Sequence, residues 1–331
     1  MKAIRYTLAA ALTVIAAASC QDTIAPEQES GIIINATIEN TGTKTVLGEK
    51  VDNRYPVLWE NKDDISVFDG NNNNQRFRTY VSGNHKSAIF QFQDGSWSAA
   101  GTWTETDTYY AIYPGMEGNS TYQFERPEGK NPTLTISSLE NGQGSRPGFN
   151  KSYSYIYGIG ETDPYQNDKS KTVIDMLFKP LTALIKFELT SNDITSVRFL
   201  DYEGAALAGS KISVTFNPDG TVSTSIPSDT QKKNIYMHSF TTTESTVDNV
   251  TTKTYTPVPL QAGVYYISVI APTSEIRPRI SFATATSARA KKEFTAEEYK
   301  AFNLVGENSI LLTPGMILDL GKFNSSGRVT E

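Results

Sequence analysis

The sequence predicts an all-β fold, with two tandem β-sandwich domains behind a short export signal. Roughly fifteen short runs rich in Val, Ile, Tyr, Phe and Thr, the residue types that strands favour, are separated by Gly, Asn, Asp and Pro. A sequence pattern typical of a helix occurs in one short segment near the C-terminus. A polar stretch at residues 158–171 lies about halfway along the chain and indicates a boundary between two domains of ordinary size.

The N-terminus has the organisation of a signal peptide over residues 1–19. Lys2 and Arg5 are followed by the uncharged run Tyr6–Ala18, which is too short to span a bilayer because ~20 residues are needed. Small residues then lead into Cys20, the only cysteine. This arrangement resembles the lipobox of bacterial lipoproteins, in which the cysteine receives a diacylglycerol and becomes the mature N-terminus. The alternative is an ordinary signal peptide in which Cys20 is a bystander.

The remaining chain divides by composition. Residues 20–30 are polar and contain Pro26, which predicts a flexible tether. Residues 31–170 and 171–323 are expected to form the two sandwiches, with a polar tail at 324–331. One large β domain with an internal loop is the alternative to two sandwiches.

The charge balance limits the partners. The formal net charge of the full chain is −6, and removal of Lys2 and Arg5 with the signal makes it about −8. An acidic exported protein is poorly suited to hold nucleic acid by charge, so no nucleic-acid partner is expected. With Cys20 used for lipid, no disulfide is expected, and stability must come from packing and backbone pairing.

Local patterns identify individual elements. Ile32–Ile38 alternates so that Ile32, Ile34, Ala36 and Ile38 share one face of a strand. The segment Leu184–Leu189 alternates as well, with its charged residues on one side. The pairs Asp69-Gly70, Asp94-Gly95 and Asp219-Gly220 predict tight hairpin turns. Thr295–Phe302 is the segment predicted to be helical, and the spacing of Thr295 and Glu298 allows a capping box.

Catalytic, metal or cofactor chemistry finds little support. His85 and His238 are the only histidines and are far apart in the sequence, and no nucleophile, phosphate-loop or dinucleotide motif is present. Asp63 and Asp64 are adjacent on a strand and should therefore point to opposite faces. The Asn-rich run after Asp69 lacks the acidic pattern of a calcium loop. No enzyme activity, metal or cofactor is expected.

Aromatic residues raise one binding hypothesis. Trp97 and Trp103 lie near a tyrosine cluster, and a second set of tyrosines alternates along one strand; the tyrosines are Tyr109, Tyr110, Tyr113, Tyr153, Tyr155 and Tyr157. Exposed, such rings would form a stacking platform for glycans. Buried, they would fill a sandwich core or a cross-strand ladder, which is the more common use.

Five motifs in order resemble a known family. They are VLWENKDDISVFDG, YYAIYPG, MLFKPLTALIKFEL, a Leu-Ala-Gly at residues 207–209 and the closing LTPGMILDLGKF, all downstream of the lipobox and Thr43-Lys44-Thr45. In this order, from about residue 20 to residue 323, the chain resembles the fimbrillin-like lipoproteins, which are subunits of type V pili. The resemblance implies two tandem transthyretin-like Greek-key β-sandwiches on the outer membrane or in a cell-surface fimbrium.

The resemblance also implies an assembly mechanism. Members of the family are cut by a surface protease after a basic residue that follows the first strand, and a strand from the next subunit fills the vacated groove. Ile32–Ile38 is the candidate displaced strand, and Arg54, Lys44 and Lys50 are the candidate processing residues. Met316, Ile317, Leu318 and Leu320 belong either to a donor strand or to a strand that closes the second sandwich.

Two functions follow as hypotheses. The first is a lipid-anchored pilus subunit whose partners are other pilus subunits through strand exchange, the outer membrane through Cys20, and a glycan or protein receptor. The alternative is a surface glycan-binding lipoprotein that uses Trp97, Trp103 and the tyrosines.

Overall fold

The computed structural model describes residues 32–39, 46–47, 57–93, 103–116, 121–137, 142–162, 172–303 and 309–329. Within them the strands of the first half are β1 (Ile32–Ile38), β2 (Val46–Leu47), β3 (Val57–Leu58), β4 (Asp64–Phe68), β5 (Asn74–Thr79), β6 (Ser87–Phe92), β7 (Thr108–Tyr113), β8 (Tyr122–Glu125), β9 (Thr133–Ile136), β10 (Ile156–Thr162) and β11 (Thr172–Pro180).

The strands of the second half follow β11. They are β12 (Thr182–Leu189), β13 (Ser196–Asp201), β14 (Ala208–Gly209), β15 (Ile212–Phe216), β16 (Val222–Ser225), β17 (Gln231–Lys232), β18 (Asn234–Val247), β19 (Val250–Val258), β20 (Gly263–Ile270), β21 (Pro278–Ala283), β22 (Lys300–Asn303), β23 (Ile317–Asn324) and β24 (Gly327–Val329). Two 3-10 turns, Lys151–Tyr153 and Ala296–Glu298, are the helical elements of the described residues. The prediction of an all-β chain built from β-sandwich sheets is confirmed.

Seven strands of the first half form one sheet that closes on itself, in the order β1-β11-β10-β7-β4-β5-β6. Closure occurs because β1 pairs with β11 on one side and with β6 on the other. The inward side chains of this barrel form a separate apolar core around Trp59, which is fully buried. A closed sheet leaves no free edge among its members, and this distinguishes the first half from an open sandwich.

The C-terminal sandwich packs two sheets face to face, in the orders β20-β12-β23-β24 and β19-β18-β13-β21-β22. Alternation along β12 explains the packing: Ile185, Phe187 and Leu189 are buried, while Lys186 and Glu188 on the other face are partly exposed. Phe282 of one sheet meets Phe323 of the other with ring centroids 5.3 Å apart. The apolar core lies between the two sheets.

A third sheet, β16-β15-β9-β8, joins the barrel to the sandwich. Phe68 of the barrel stacks on Phe124 of β8 at 4.6 Å, and Tyr110 contacts Phe216 of β15 at the same centroid distance. The hairpin β8–β9 leaves the barrel between β7 and β10, so residues 121–137 pack with the second half although they precede residue 170 in the chain.

The predicted division at residues 170 and 171 separates two strands that the structure pairs. β10 and β11 are antiparallel neighbours from Ile156↔Pro180 to Thr162↔Ile174. The chain passes from barrel to sandwich at Leu181, between β11 and β12. The described part of the polar stretch at 158–171 belongs to β10, which ends at Thr162, and β11 begins at Thr172.

The predicted helix at Thr295–Phe302 is reduced to the single turn Ala296–Glu298, after which β22 begins at Lys300. The capping residues do interact, since the backbone N–H of Thr295 donates to the Glu298 carboxylate at 2.7 Å. Glu298 also binds Arg289, at 3.0 Å, and Tyr299 turns inward to Ser196, at 2.8 Å. These tertiary contacts outweigh a short helical propensity.

Candidate functional site

Strand β1 fills a slot in the barrel. It runs parallel to β11 from Ile32↔Thr172 to Ile38↔Phe178, and antiparallel to β6 from Ile33↔Gln91 to Thr37↔Ser87. The ladder continues past the strand, where the N–H of Glu39 donates to the carbonyl of Phe178 at 2.9 Å. Both backbone edges of β1 are therefore satisfied by the protein itself.

The inward face of β1 lies on the aromatic core. Ile34, Ala36 and Ile38 are 0%, 1% and 4% exposed, and Ile32 is partly buried against the same core. Trp59 lies within this core, with its ring 4.8 Å from Phe90 and 5.1 Å from Phe178, both edge-on. These two rings belong to β6 and β11, the strands that flank β1. Removal of β1 would expose an apolar groove together with two rows of unpaired backbone groups.

The outward face of β1 makes only light polar contacts. Asn35 donates to the Asp175 carboxylate at 2.8 Å, and the hydroxyls of Thr37 and Ser87 lie 3.1 Å apart. Such exposed contacts contribute little to stability. The attachment of β1 to the barrel therefore depends on its ladders and its inward apolar face.

The candidate processing and lipid sites lie outside the described residues. These sites are Cys20, Lys44, Lys50 and Arg54. In the sequence, Lys50 and Arg54 fall between β2 and β3, which pair through Val46↔Leu58 and Leu47↔Val57. Their roles in lipid attachment and processing stay predictions.

The candidate donor strand is built into the C-terminal sandwich. β23 runs parallel to β12, from Leu184↔Ile317 to Leu189↔Phe323, and on its other edge β24 pairs with Lys322 to Asn324 only. Lys186 and Asp319 add an ion pair of 2.6 Å. Leu320 is buried, whereas Met316, Ile317 and Leu318 are partly exposed, and Met316 and Leu318 pack on the rim of the core. Its assignment as a donor strand or a closing strand stays a prediction.

Trp103 does not form an exposed stacking surface. It is partly buried and packs on the barrel core, stacked on Tyr109 at 5.1 Å and edge-on to Phe77 at 5.7 Å. Trp97 lies outside the described residues. The described tyrosines of the hypothesis also pack into the cores: Tyr109, Tyr113, Tyr155 and Tyr157 are buried, and Tyr110 and Tyr153 are partly buried. The core interpretation therefore fits these rings better than the glycan platform does.

Asp63, directly before β4, and Asp64, its first residue, point to different partners. Asp63 is buried, accepts hydrogen bonds from Tyr113 at 3.2 Å and Lys151 at 3.0 Å, and has a pKa raised by burial. Asp64 instead pairs with Arg76 and Arg78 at 2.8 and 2.6 Å. The two carboxylates do not converge on a common ligand.

The Asp69 turn is a hairpin connection. The Asp69 carboxylate accepts the N–H groups of Asn71 and Asn73, each at 2.9 Å, and is itself fully buried. Its oxygens are thus used to fix the loop. In the described ranges, no group of three or more His, Cys, Asp or Glu residues is arranged to hold a metal ion. None of the helices in those ranges is long and apolar enough to cross a membrane.

The chain was compared with protein-family models, curated proteins and solved structures, and only the solved structures gave matches. No family model matches the chain, and no curated protein matches it. A candidate cell adhesion protein from Bacteroides uniformis aligns with a TM-score of 0.45 and 12% identity, over 89% of this chain and 93% of that one. The fimbrial anchor protein Mfa2 from Porphyromonas gingivalis aligns with a TM-score of 0.28 and 12% identity, over 76% and 77%.

A third solved structure is a fimbrial protein from Bacteroides ovatus, with a TM-score of 0.33 and 14% identity, covering 88% of this chain and 50% of that chain. This chain is therefore similar to solved structures described as cell adhesion and fimbrial proteins of Bacteroides and Porphyromonas.

Proposed function

We propose that this chain is a lipid-anchored, cell-surface fimbrial subunit that assembles by exchange of β1 for a strand of a neighbouring subunit and contributes to adhesion. The observation that carries the proposal is the position of β1, which is held between β11 and β6 and buries Ile34, Ala36 and Ile38. A strand with this double pairing can be replaced by any chain that supplies the same ladder and the same alternation.

The lipid and the cut belong to the same proposal. Before processing, Cys20 carries the lipid at the outer membrane. The protease cuts after Arg54, Lys44 or Lys50, which follow β1 in the sequence, and so releases the lipid together with β1. A cut at any of these positions separates β1 covalently from β4 and the rest of the barrel. After the cut, β1 is no longer tethered to the barrel, so its reinsertion loses the advantage of a high effective concentration. Insertion of a partner strand at high local concentration can then compete, which favours assembly in one direction.

Mass spectrometry of the mature N-terminus, on protein from the native outer membrane, tests this proposal. The expected result is a new N-terminus directly after Arg54, Lys44 or Lys50. Substitution of the residue before the observed cut by Gln should leave an uncut chain that begins at acylated Cys20. The matched control is Lys62→Gln, which changes a basic residue in a described turn just before β4 and should leave processing unchanged.

An acylated Cys20 as the only N-terminus of the wild-type protein would contradict exchange of β1. The chain would then retain its own first strand and act as an anchor or as a lipoprotein outside pili. An unmodified Cys20, or a first residue elsewhere in the signal region, would contradict the lipid anchor while leaving the exchange mechanism open to the same cleavage assay.

A further inference from the structure

A cavity of about 420 Å³ lies on the solvent side of the C-terminal sandwich, away from the β1 slot. Tyr236 and His238 project into it from β18, on the face opposite the buried Met237. Its other wall is the segment 284–299 that connects β21 to β22, here called the strap, which supplies Lys292, Glu293, Phe294 and Tyr299. The volume lies within the ordinary range of small-molecule sites.

Aromatic rings surround this cavity. The ring centroids of Tyr236 and Tyr299 lie 6.2 Å apart, those of His238 and Phe294 lie 6.4 Å apart, and Phe294 and Tyr299 are separated by 5.9 Å. None of these rings belongs to the apolar core between the two sheets. They form a separate aromatic set outside that core, in which Tyr299 is buried and Tyr236, His238 and Phe294 are partly exposed.

The strap is held in place by contacts that do not use the cavity. Its backbone pairs with β19, where Arg289 and Tyr255 exchange N–H to carbonyl hydrogen bonds of 2.9 and 2.8 Å. The Arg289 guanidinium binds Glu298 at 3.0 Å and lies over the Phe294 ring, 4.2 Å from its centroid. Arg198 of β13 lies 4.4 Å from the centroid of Tyr299. The rings are thus supported from outside the cavity and are positioned before any ligand arrives.

The charged groups at this site contact aromatic rings, and the Lys292 ammonium lies 5.3 Å from the Tyr255 ring centroid. The Nδ1 atom of His238 is buried and has no hydrogen-bond partner among the described residues. Burial, together with nearby Lys292, lowers the pKa of His238, which keeps the imidazole neutral at pH 7 and able to donate or accept. No ion pair within the described part of the chain involves Lys292 or Arg198.

These features select a ligand class. An aliphatic ligand would leave the His238 nitrogen unsatisfied, at a cost of about 1–3 kcal/mol for a buried polar group. A cationic ligand, which aromatic cages otherwise favour, would meet the ammonium group of Lys292 and the guanidinium group of Arg198 over Tyr299. Glu293 also lines the cavity, and its backbone carbonyl accepts a hydrogen bond from Arg289 at 2.8 Å. A sugar ring offers a C–H face to the aromatic rings and hydroxyls to the imidazole. A carboxylate on that sugar would meet Lys292, while Glu298 is already paired with Arg289.

We propose that the cavity under the strap binds a sugar residue that carries a carboxylate, with its apolar face on Phe294 and Tyr236, its hydroxyls at His238 and its carboxylate at Lys292. The proposal names the receptor class for the adhesive part of the proposed function and rests on that part. It does not depend on strand exchange, because the cavity is complete in a single copy of the chain.

Binding of purified full-length mature protein to acidic oligosaccharides tests the proposal. The probes are oligosaccharides ending in a uronic or sialic acid, each paired with its carboxyl-reduced form, which differs only in the charged group. The wild type is expected to bind the acidic member of at least one pair more tightly, by about tenfold, as a charge-assisted hydrogen bond predicts. Phe294→Ala is expected to abolish binding to both members of the pair.

The variant Lys292→Gln distinguishes specific binding at this cavity from nonspecific binding of acidic oligosaccharides. This exposed side chain stabilises no described ion pair, so the variant should fold normally, bind both forms equally and lose the tenfold preference. The matched controls are Tyr202→Ala, an exposed aromatic outside the cavity, and Lys253→Gln on the β18–β19 hairpin. Both should bind as the wild type does.

Two results would overturn the proposal: no binding of the wild type to any acidic probe, or an acidic preference that Lys292→Gln leaves unchanged. Either result is independent of N-terminal processing. A chain that is cut after Arg54 but binds no glycan would keep the assembly proposal and lose this one. A chain that binds glycan but is never cut would do the reverse.

Discussion

The first and last long strands of the described chain are placed alike but held differently. β1 and β23 form the two parallel strand pairs among the described ladders, β1 with β11 and β23 with β12, in sheets that are otherwise antiparallel. Their partners are almost continuous, since β11 ends at Pro180 and β12 begins at Thr182. β1 and β23 thus each lie parallel to one part of the nearly continuous segment formed by β11 and β12.

The difference lies in the second edge and in burial. β1 has a full second partner in β6, whereas β24 covers only Lys322 to Asn324 of β23. Ile34, at 0% exposure, is sealed in the barrel, while Ile317 and Leu318 remain partly exposed. The barrel therefore needs a strand in the β1 position to close, whereas the sandwich keeps most of its core without the start of β23. A removable strand is best placed where a replacement is most needed.

The largest expected effect comes from a charge on the inward face of β1. Ile34→Asp places a carboxylate in a fully buried aromatic core, and we expect a loss of more than about 4 kcal/mol in the free energy of unfolding of the barrel. Leu318→Asp is the matched change in β23 and should cost about 1 kcal/mol, because the carboxylate can reach water. Urea denaturation monitored by tryptophan fluorescence and by far-UV circular dichroism measures both. Equal losses would contradict the comparison.

A smaller effect is expected from crowding the support of β1. A Cβ atom added at Gly158 of β10 would lie 2.8 Å from the ring of Phe178, the residue paired with Ile38. Gly158→Ala should therefore cost about 1–3 kcal/mol in the barrel, as overpacking of a filled core does, and leave the β23 region unchanged. Gly142→Ala is the control, because its Cβ would meet no atom within 4 Å. The hypothesis fails if the two variants show the same urea midpoint.

The smallest expected effect is the change in stability of the two halves as the pH is lowered. Burial raises the pKa values of Asp63 and Asp64 in the barrel above 3.8, so the folded barrel gains relative stability as pH falls toward 3.8. In the sandwich, hydrogen bonds from Ser191 and Arg289 lower the pKa values of Asp193 and Glu298, and burial lowers that of His238 below 6.5. These groups stabilise the fold above their unfolded pKa values, and that stability is lost as pH falls through 6.5 and then below about 4.5.

Acid should therefore loosen the sandwich before the barrel. All three tryptophans, Trp59, Trp97 and Trp103, lie in the sequence of the first half, so their fluorescence reports on the barrel, while far-UV circular dichroism reports on both parts. We expect the dichroism transition to begin at higher pH than the fluorescence transition. His238→Gln should reduce the early loss. Coincident transitions in the wild type would contradict the assignment of these groups to opposite responses.

The sequence predicts individual strands better than their neighbours. The alternation in Ile32–Ile38 matches the observed strand and its inward face, and the Asp69 and Asp219 turns lie where Asp-Gly pairs predict them. The pairing of β1 with β11, about 140 residues away in the register Asn35↔Asp175, has no local signal, because periodicity defines a face but not a partner.

The cavity under the strap was equally hidden from sequence reasoning. Tyr236 and His238 lie more than fifty residues from Phe294 in the sequence. The sequence of Thr295–Phe302 predicts a helix and not the strap that the structure shows. The useful signal is the alternation of Tyr236 and His238 with the core residues Ile235 and Met237, which places two rings on a solvent-facing side of a strand. Partly buried Trp103 and buried Tyr109 show that a high local density of aromatic residues does not by itself indicate an exposed binding surface.

The near-continuity of β11 and β12 has a mechanical consequence. Tension applied between the two ends of the described chain pulls β1 toward Ile32 and β23 toward Asn324, in each case along the axis of its parallel partner. The ladders are then loaded in shear, so their hydrogen bonds share the force together and do not open one at a time. Because only Leu181 separates the two partner strands, the load crosses from barrel to sandwich through covalent backbone. A fibre of such units would resist pulling along its length.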